Sequence, residues 1–194
     1  DKIKDYLKKK YNKPGNVYLG ITHRLDRPTS GAIIFTKTSK ALTRLNELFK
    51  KNKIKKTYWA IVKSINKKGP EKLENFLIKN QKQNKSYVTE NSNKKAKKAI
   101  LYFKTIFELQ KYSLLKIKLE TGRHHQIRTQ LSHIGFPIKG DLKYGFPRSN
   151  NDGSIHLHSR KINFKHPVSK KNIEIIAKPP KNNIWDLCLN REEK

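Results

Sequence analysis

The segment Thr57-Tyr-Trp-Ala-Ile-Val62 is apolar on both of the faces a strand can present. Successive strand side chains point to opposite sides, so this run has no face to offer water and belongs inside a sheet. Its neighbours in sequence fit the same sheet. Leu101, Phe103, Thr105 and Phe107 alternate with other residues, as do Leu115, Ile117 and Leu119 with Lys116 and Lys118, which predicts two half-buried antiparallel strands. Ile155 to Phe164 and Ile173 to Ala177 supply further strands, and Val17 to Thr22 and Ala32 to Thr36 read as short strands flanking a polar loop, His23 to Gly31. Three stretches have helical spacing. Asp1 to Asn12 carries Ile3, Tyr6 and Leu7 and is ended by Pro14-Gly15. Ser39 can cap a helix running to about Lys50, with Leu42, Leu45, Leu48 and Phe49 on one face. A third helix runs from about His124 to Ile134, with Ile127, Leu131 and Ile134 on one face and Gly135 as its stop. Ser64 to Pro70 and Thr121-Gly122 read as turns, and Lys79 to Lys98 as a lysine-rich hairpin or loose loop. The predicted fold class is α+β, a mixed, mostly antiparallel sheet with a few helices. With no internal repeat, residues 1–194 are expected to form a single domain.

A chain of 194 residues can bury about 70% of its unfolded surface, enough for a real core. No apolar stretch approaches the ~18 residues of a membrane span, and Asp1 to Lys10 lacks the shape of a signal peptide. Cys188 is the only cysteine, which excludes an internal disulfide and a cysteine-based zinc site. A soluble protein of the reducing cytoplasm is expected, with no membrane partner. Because the chain contains no Met, it is expected to lack its natural N-terminal start.

The formal charge is +30 at pH 7. Such a surface attracts polyanions, and neutralising phosphates releases their counterions, so nucleic acid is the first partner to consider. A lysine-rich, asparagine-rich and isoleucine-rich composition also reflects compositional bias, and charge runs are commonly solvated faces. The eight arginines are more telling among 37 lysines, since a rigid guanidinium fork is used where geometry matters. Arg24 and Arg27 share one short segment, and Arg123 and Arg128 another.

In the first segment, His23-Arg24-Leu25-Asp26-Arg27-Pro28-Thr29-Ser30-Gly31, one carboxylate lies among two arginines and a histidine, in a loop between strands. Among these positive charges Asp26 is a candidate nucleophile, base or anchor. From the charge pattern alone, a structural salt bridge holding the loop is the simpler reading.

The wording of the segment is more specific. HRLDRPTSG resembles the signature loop of the RluA family of RNA pseudouridine synthases. Glu120-Thr-Gly-Arg-His-His-Gln-Ile-Arg128, followed by Gly135-Phe-Pro-Ile-Lys-Gly-Asp141 and Tyr144-Gly145, resembles that family's later motif, and Lys56-Thr-Tyr-Trp-Ala60 resembles the strand bearing its active-site tyrosine. The three motifs occur in the family's order and span Val17 to Pro179. The resemblance implies an enzyme that isomerises uridine to pseudouridine in structured RNA, without a cofactor and without a metal site. Ribosomal RNA is the first expected substrate and transfer RNA the second. Carried over position by position, Asp26 is the catalytic carboxylate, Arg128 its ion-pair partner, and Tyr58 the ring beside the uracil. Arg24 enters the RNA in place of the extruded nucleotide, and Arg27, Arg123 and Lys143 are phosphate contacts. His23 and His125 are expected to support loops by hydrogen bonding and not to act as acid or base.

The chain departs from the family wording at His124, Thr129 and Gln130, none of which carries a proposed role, and core sequence that family members have before the signature loop is expected to be missing upstream of His23. A catalytically silent RNA-binding or ribosome-assembly protein of the same fold is the rival of a different class. The seven histidines form no HExxH pattern, and the glycines of Gly135 to Gly140 are followed by Asp141-Leu142 where a phosphate loop needs Lys-Ser/Thr, so zinc and nucleotide-triphosphate enzymes are disfavoured. Nothing in the sequence demands an oligomer, and a monomer is expected.

Overall fold

A computed structural model describes residues 2–65, 71–91 and 93–192. The apolar run lies in strand β4 (Lys55–Lys63), and its two sides separate as the pleat requires. Tyr58, Ala60 and Val62 enter one core cluster with Leu101, Phe103, Leu115, Ile117, Ile127 and Leu131, while Trp59 and Ile61 enter another with Leu114, Trp185 and Cys188. Both faces of β4 are therefore covered by protein.

The other elements in chain order are α1 (Lys2–Lys10), β1 (Gly20–Ile21), β2 (Ser30–Gly31), β3 (Phe35–Thr36), α2 (Ser39–Lys50), β5 (Glu71–Asn80), β6 (Lys85–Thr89), β7 (Lys97–Glu108), β8 (Tyr112–Leu119), α3 (Gln126–His133), a 3-10 turn over Leu142–Tyr144, β9 (Leu157–Lys165), β10 (Asn172–Ile176) and α4 (Asn183–Glu192). Among the described residues, eight strands join one sheet whose main path runs β10-β9-β4-β8-β7-β5-β6, with β2 added to β9. Every pair on the main path is antiparallel, and β2 joins β9 in parallel. The mixed, mostly antiparallel α+β architecture read from the sequence is the one observed. Helix α3 contributes Ile127 and Leu131 to one face of the sheet, and α4 contributes Trp185 and Cys188 to the other. A third cluster joins Leu45 of α2 to Ile162 and Phe164 of β9.

Some elements differ from the sequence reading. The strands expected over Val17 to Thr22 and Ala32 to Thr36 shrink to the two-residue pair β1–β3. Side chains take over the pairing beyond it: Thr22 Oγ1 donates to the Ile34 carbonyl at 2.7 Å, and His23 Nε2 accepts from the Ile34 N–H at 3.0 Å. Thr38, not Ser39, caps α2, because its extended backbone (φ −147°) lets its hydroxyl accept from the Ala41 N–H at 3.1 Å. The third helix starts at Gln126 and not His124, since His125 is held at φ 51°, in the left-handed region. Within Lys79 to Lys98 the hairpin is the alternative observed: β5 pairs antiparallel with β6 across the turn over residues 81–84, and β7 begins at Lys97. Most of the turn expected over Ser64 to Pro70 lies outside the described residues. Helix α4 and the first part of β5 had no clear signal, as neither presents a clean apolar stripe: β5 interleaves Glu71, Glu74 and Asn75 with its apolar residues.

Candidate active site

The loop between β1 and β2 carries Asp26, and the sheet pins it at several points. Thr29 N–H donates to the Asp26 carbonyl at 2.8 Å, closing a tight turn. Ser30 Oγ lies 2.8 Å from His158 Nδ1, Ala32 N–H donates to the Ser159 carbonyl at 2.9 Å, and Ile155 N–H donates to the Pro28 carbonyl at 3.0 Å. The seam is close enough to require glycine. At Gly31 (φ +120°) an added Cβ would lie 2.4 Å from the Ser159 carbonyl oxygen. Opposite this seam β9 has a bulge, where Ser159 pairs with Tyr58 but Lys161 pairs with Thr57, leaving Arg160 as the extra residue. Bulges of this kind re-aim side chains beside active sites.

Arg128 comes from α3 and is almost wholly buried, at 5% exposure. Its guanidinium forks onto Asp141, with Nε 2.7 Å from Oδ2 and Nη2 2.8 Å from Oδ1, while Nη1 reaches Asp26 Oδ2 at 3.3 Å. Burial alone would weaken its charge, but the hydrogen bonds and negative charge of Asp141, with a smaller contribution from Asp26, outweigh burial and raise its pKa. The two carboxylates differ in setting. Asp141 is 1% exposed and acts as a buried anchor, whereas the Asp26 side chain, at 28%, remains open to the cleft. Asp141 follows Gly140 (φ +88°), where a Cβ would fall 2.6 Å from Asn150 Nδ2 and 2.9 Å from the Ser154 carbonyl.

His125 closes the other side of Asp26. Its Nε2 is 3.7 Å from Asp26 Oδ2, too long for a hydrogen bond, and its Nδ1 is 2.9 Å from the Tyr144 hydroxyl. The Ser86 N–H donates to that same hydroxyl at 2.8 Å, so the Tyr144 O–H is free to donate to Nδ1 and leave the imidazole proton on Nε2. Burial pushes His125 down to about 4 against the opposing pull of Asp26, so at neutral pH this is a neutral histidine and not a charged partner. The Tyr144 ring also carries the Arg128 guanidinium 4.9 Å from its centroid.

Tyr58, on β4, is 7% exposed. Burial pushes its phenol up to about 12, with Ser159 opposing through a hydrogen bond and Asp26 adding to the rise, so the free site holds it protonated. Its ring, Asp26, Arg128, His125, Arg24 and Arg123 line one cleft of about 110 Å³. That is below the ~300–1,000 Å³ of drug-sized ligand sites and on the scale of one planar ring.

Five of the residues singled out in the sequence thus meet: Arg24, Asp26, Tyr58, Arg123 and Arg128. Arg24 and Arg123 are exposed on the cleft wall, and Arg123 Nε donates to the Lys98 carbonyl at 2.8 Å. Two do not join them. Arg27 lines a separate depression with Asp152 and Ser154, and Lys143 Nζ donates to the carbonyls of Gln83 at 3.0 Å and Asn84 at 3.3 Å in the β5–β6 turn. Sequence reasoning assigned no role to Asp141 or Tyr144, although both stood inside the quoted motif. His23 does support its loop, and burial, helped by the charge of Lys56, pushes it down to about 4.

The RNA pseudouridylate synthase family model matches residues 3–133. The chain belongs to the RluA family of RNA pseudouridine synthases. It is 38% identical over 173 residues to the ribosomal large subunit pseudouridine synthase C of Buchnera aphidicola subsp. Baizongia pistaciae, covering 85% of this chain and 54% of that protein. It is 30% identical over 190 residues to the tRNA pseudouridine synthase C of Vibrio parahaemolyticus, covering 88% of this chain and 75% of the relative. The chain therefore spans about half the length of its ribosomal relative. The solved structure of human RNA pseudouridylate synthase domain containing 4 superposes with a TM-score of 0.79 at 20% identity, over 97% of this chain and 81% of the other, which establishes a shared fold.

Proposed function

We propose that this chain is one catalytic domain that isomerises uridine to pseudouridine in structured RNA, with Asp26 as the catalytic carboxylate. The observation that carries the reading is Asp26 itself. It is a cleft-facing carboxylate paired with a buried arginine whose charge is anchored independently by Asp141, in a cleft sized for one ring and lined by Tyr58.

In this reading the target uridine is flipped out of its stack at a cost of a few kcal/mol, and Arg24, exposed at the cleft, takes its place against the neighbouring bases. Asp26 begins the reaction at the ribose, by attack on C1′ or by removing a neighbouring ribose proton. Either route breaks the bond between C1′ and the base nitrogen. The freed uracil turns within the cleft, a bond forms from C1′ to its carbon 5, the hydrogen on carbon 5 leaves as a proton, and the released nitrogen gains one. Composition and oxidation level are unchanged, so the chemistry needs no redox cofactor. Arg128 keeps Asp26 oriented and balances its charge. Tyr58, held protonated, offers the ring a packing surface and an O–H to donate. Arg27, Arg123 and Lys143 serve as phosphate contacts along the RNA.

Ribosomal RNA is the first substrate to test, because the relative that is 38% identical is named for the large ribosomal subunit. Transfer RNA is the second, favoured by the tRNA-directed relative matched over three quarters of its length. The protein is read as a cytoplasmic monomer; among the described residues no helix is long and apolar enough to cross a membrane.

The test is tritium release from ribosomal or transfer RNA labelled at carbon 5 of uridine, for the parent chain and Asp26→Asn. The parent should release tritium, and the variant should be slower by on the order of 10⁴-fold or more, the scale of losing a central catalytic group, while still binding RNA. Equal release by both proteins would remove Asp26 from the chemistry. Binding without release by the parent would favour a silent RNA-binding protein.

A further inference from the structure

Lys56 is a motif lysine that the proposed chemistry leaves without a task, and its setting is unlike that of a solvated lysine. It precedes Tyr58 by two residues on β4, so the two side chains share a face, and both line the ring-sized cleft. Lys56 also lines a second, larger cleft of about 450 Å³, together with Lys50, Lys55, Glu120 and Arg123. The wall between the two clefts is narrow. Lys56 Nζ sits 3.5 Å from where a Cβ on Gly122 would stand, and Arg123, next in the chain, borders both clefts.

The ammonium is half-buried and makes no ion pair or hydrogen bond among the described residues, although Glu120 lines the same cleft. Nζ lies 5.5 Å from the centroid of the Phe49 ring, and its charge also bears on the neighbouring neutral His23; neither group neutralises it. Burial lowers its pKa. Elsewhere the chain pairs lysines that gain little from it: exposed Lys72 holds Glu74 at 2.5 Å. Withdrawing a charge from water without a counter-ion is costly, and the cost is recovered when an anion arrives. An RNA strand whose base fills the first cleft and whose backbone continues into the second would pass a phosphodiester along the wall that Lys56, Gly122 and Arg123 share.

We propose that Lys56 binds the backbone phosphate adjacent to the flipped uridine, and so sets which way the RNA strand leaves the cleft. The proposal rests on the pseudouridine synthase reading for the identity of the base. A compact ammonium suits a phosphate as a point charge. Arg123, with Nε committed to the Lys98 carbonyl, has its remaining nitrogens available to flank the same group.

The test is the salt dependence of binding to labelled total transfer RNA, for the parent, Lys56→Gln, Lys56→Arg and Lys104→Gln, the last an exposed β7 lysine outside both clefts. Each lost phosphate contact flattens the plot of log affinity against log salt by about 0.7–0.9. Lys56→Gln should show that loss and bind several-fold more weakly at low salt, Lys56→Arg should keep the parental slope, and Lys104→Gln should stay within about 0.2 of it. Circular dichroism melts accompany each variant, and Lys56→Met replaces Lys56→Gln if the amide is not tolerated. An unchanged slope in Lys56→Gln, or an equal loss in Lys104→Gln, overturns the proposal. So does slower tritium release at an unchanged slope, which would put Lys56 on the base and not on the phosphate. If the parent releases no tritium, the isomerase reading falls while the slopes still report whether Lys56 holds a phosphate.

Discussion

Arg128 links two carboxylates that differ in exposure and in bond length, and the difference separates their tasks. The shorter, forked contact goes to Asp141, deep in the protein, and the longer single contact goes to Asp26 at the cleft. Asp141 therefore fixes the guanidinium, which would otherwise be free to turn fully onto Asp26 or away from it. Removing one member of a buried pair leaves the other charge unpaired, at a cost of about 3–5 kcal/mol. Asp141→Ala is expected to lose that much in urea unfolding, and to lose tritium release even at temperatures where it remains folded. A loss under about 1 kcal/mol would mean that Asp26 alone satisfies Arg128. The sequence identified Asp26 and Arg128 as partners through their motifs. Asp141 escaped because a carboxylate 13 residues along the chain carries no sign of its burial, which depends on Gly140 letting the chain press against Asn150 and Ser154.

The elements around Asp26 are short, and their positions depend on close backbone approach more than on strand propensity. Strand β2 has only two residues, yet its parallel pairing with His158 and Ser159 of β9 holds the loop. Gly31 makes that approach possible. Gly31→Ala would combine a disfavoured positive φ, about 1–3 kcal/mol, with a Cβ 2.4 Å from the Ser159 carbonyl oxygen. The expected result is a loss above about 2 kcal/mol and little turnover, because β2 must lift away from β9 and take Asp26 with it. Gly15→Ala is the matched control, with no atom within 4 Å of the new Cβ, and should be neutral within about 0.5 kcal/mol. The interior strand and the alternating strands β7 and β8 were legible in the sequence, since burial on one or both faces imprints a period on the residues. Strands β1, β2 and β3 are too short to carry a period. Their partners are chosen by loops and side-chain bonds, and the left-handed His125 that delays α3 is likewise invisible to a helical pattern.

At the level of the whole molecule, three histidines are held neutral by packing. His23, His125 and His156 are each pushed down to about 4, by burial first. They sit respectively under the Asp26 loop, against Tyr144, and stacked on Trp185 of α4 at 5.3 Å. Their folded-state values lie below the ordinary 6.5, so as acid is added the unfolded chain takes up protons before the folded one does. The stability they contribute is fully present above about pH 6.5 and is lost progressively toward about pH 4. The melting temperature should be level above pH 7 and fall by several degrees by pH 5, a kcal/mol being about 2–4 °C for a chain of this size. A melting temperature unchanged to pH 4.5 would show that these rings accept protons in place. Read by itself, the sequence determined the α+β class, the buried strand at the centre of the sheet, and the motifs that name the family. Those properties rest on hydrophobic period and on short runs of residues, which act over a few positions. The tertiary structure alone decided that Asp141 anchors Arg128 from behind, that Lys56 stands between two clefts, that Arg27 and Lys143 stand apart, and that α4 seals the face opposite α3. Each of these depends on which strands are neighbours and in what register. Sheet hydrogen bonds set that pairing between residues as far apart as Ser30 and His158, and no local pattern encodes it.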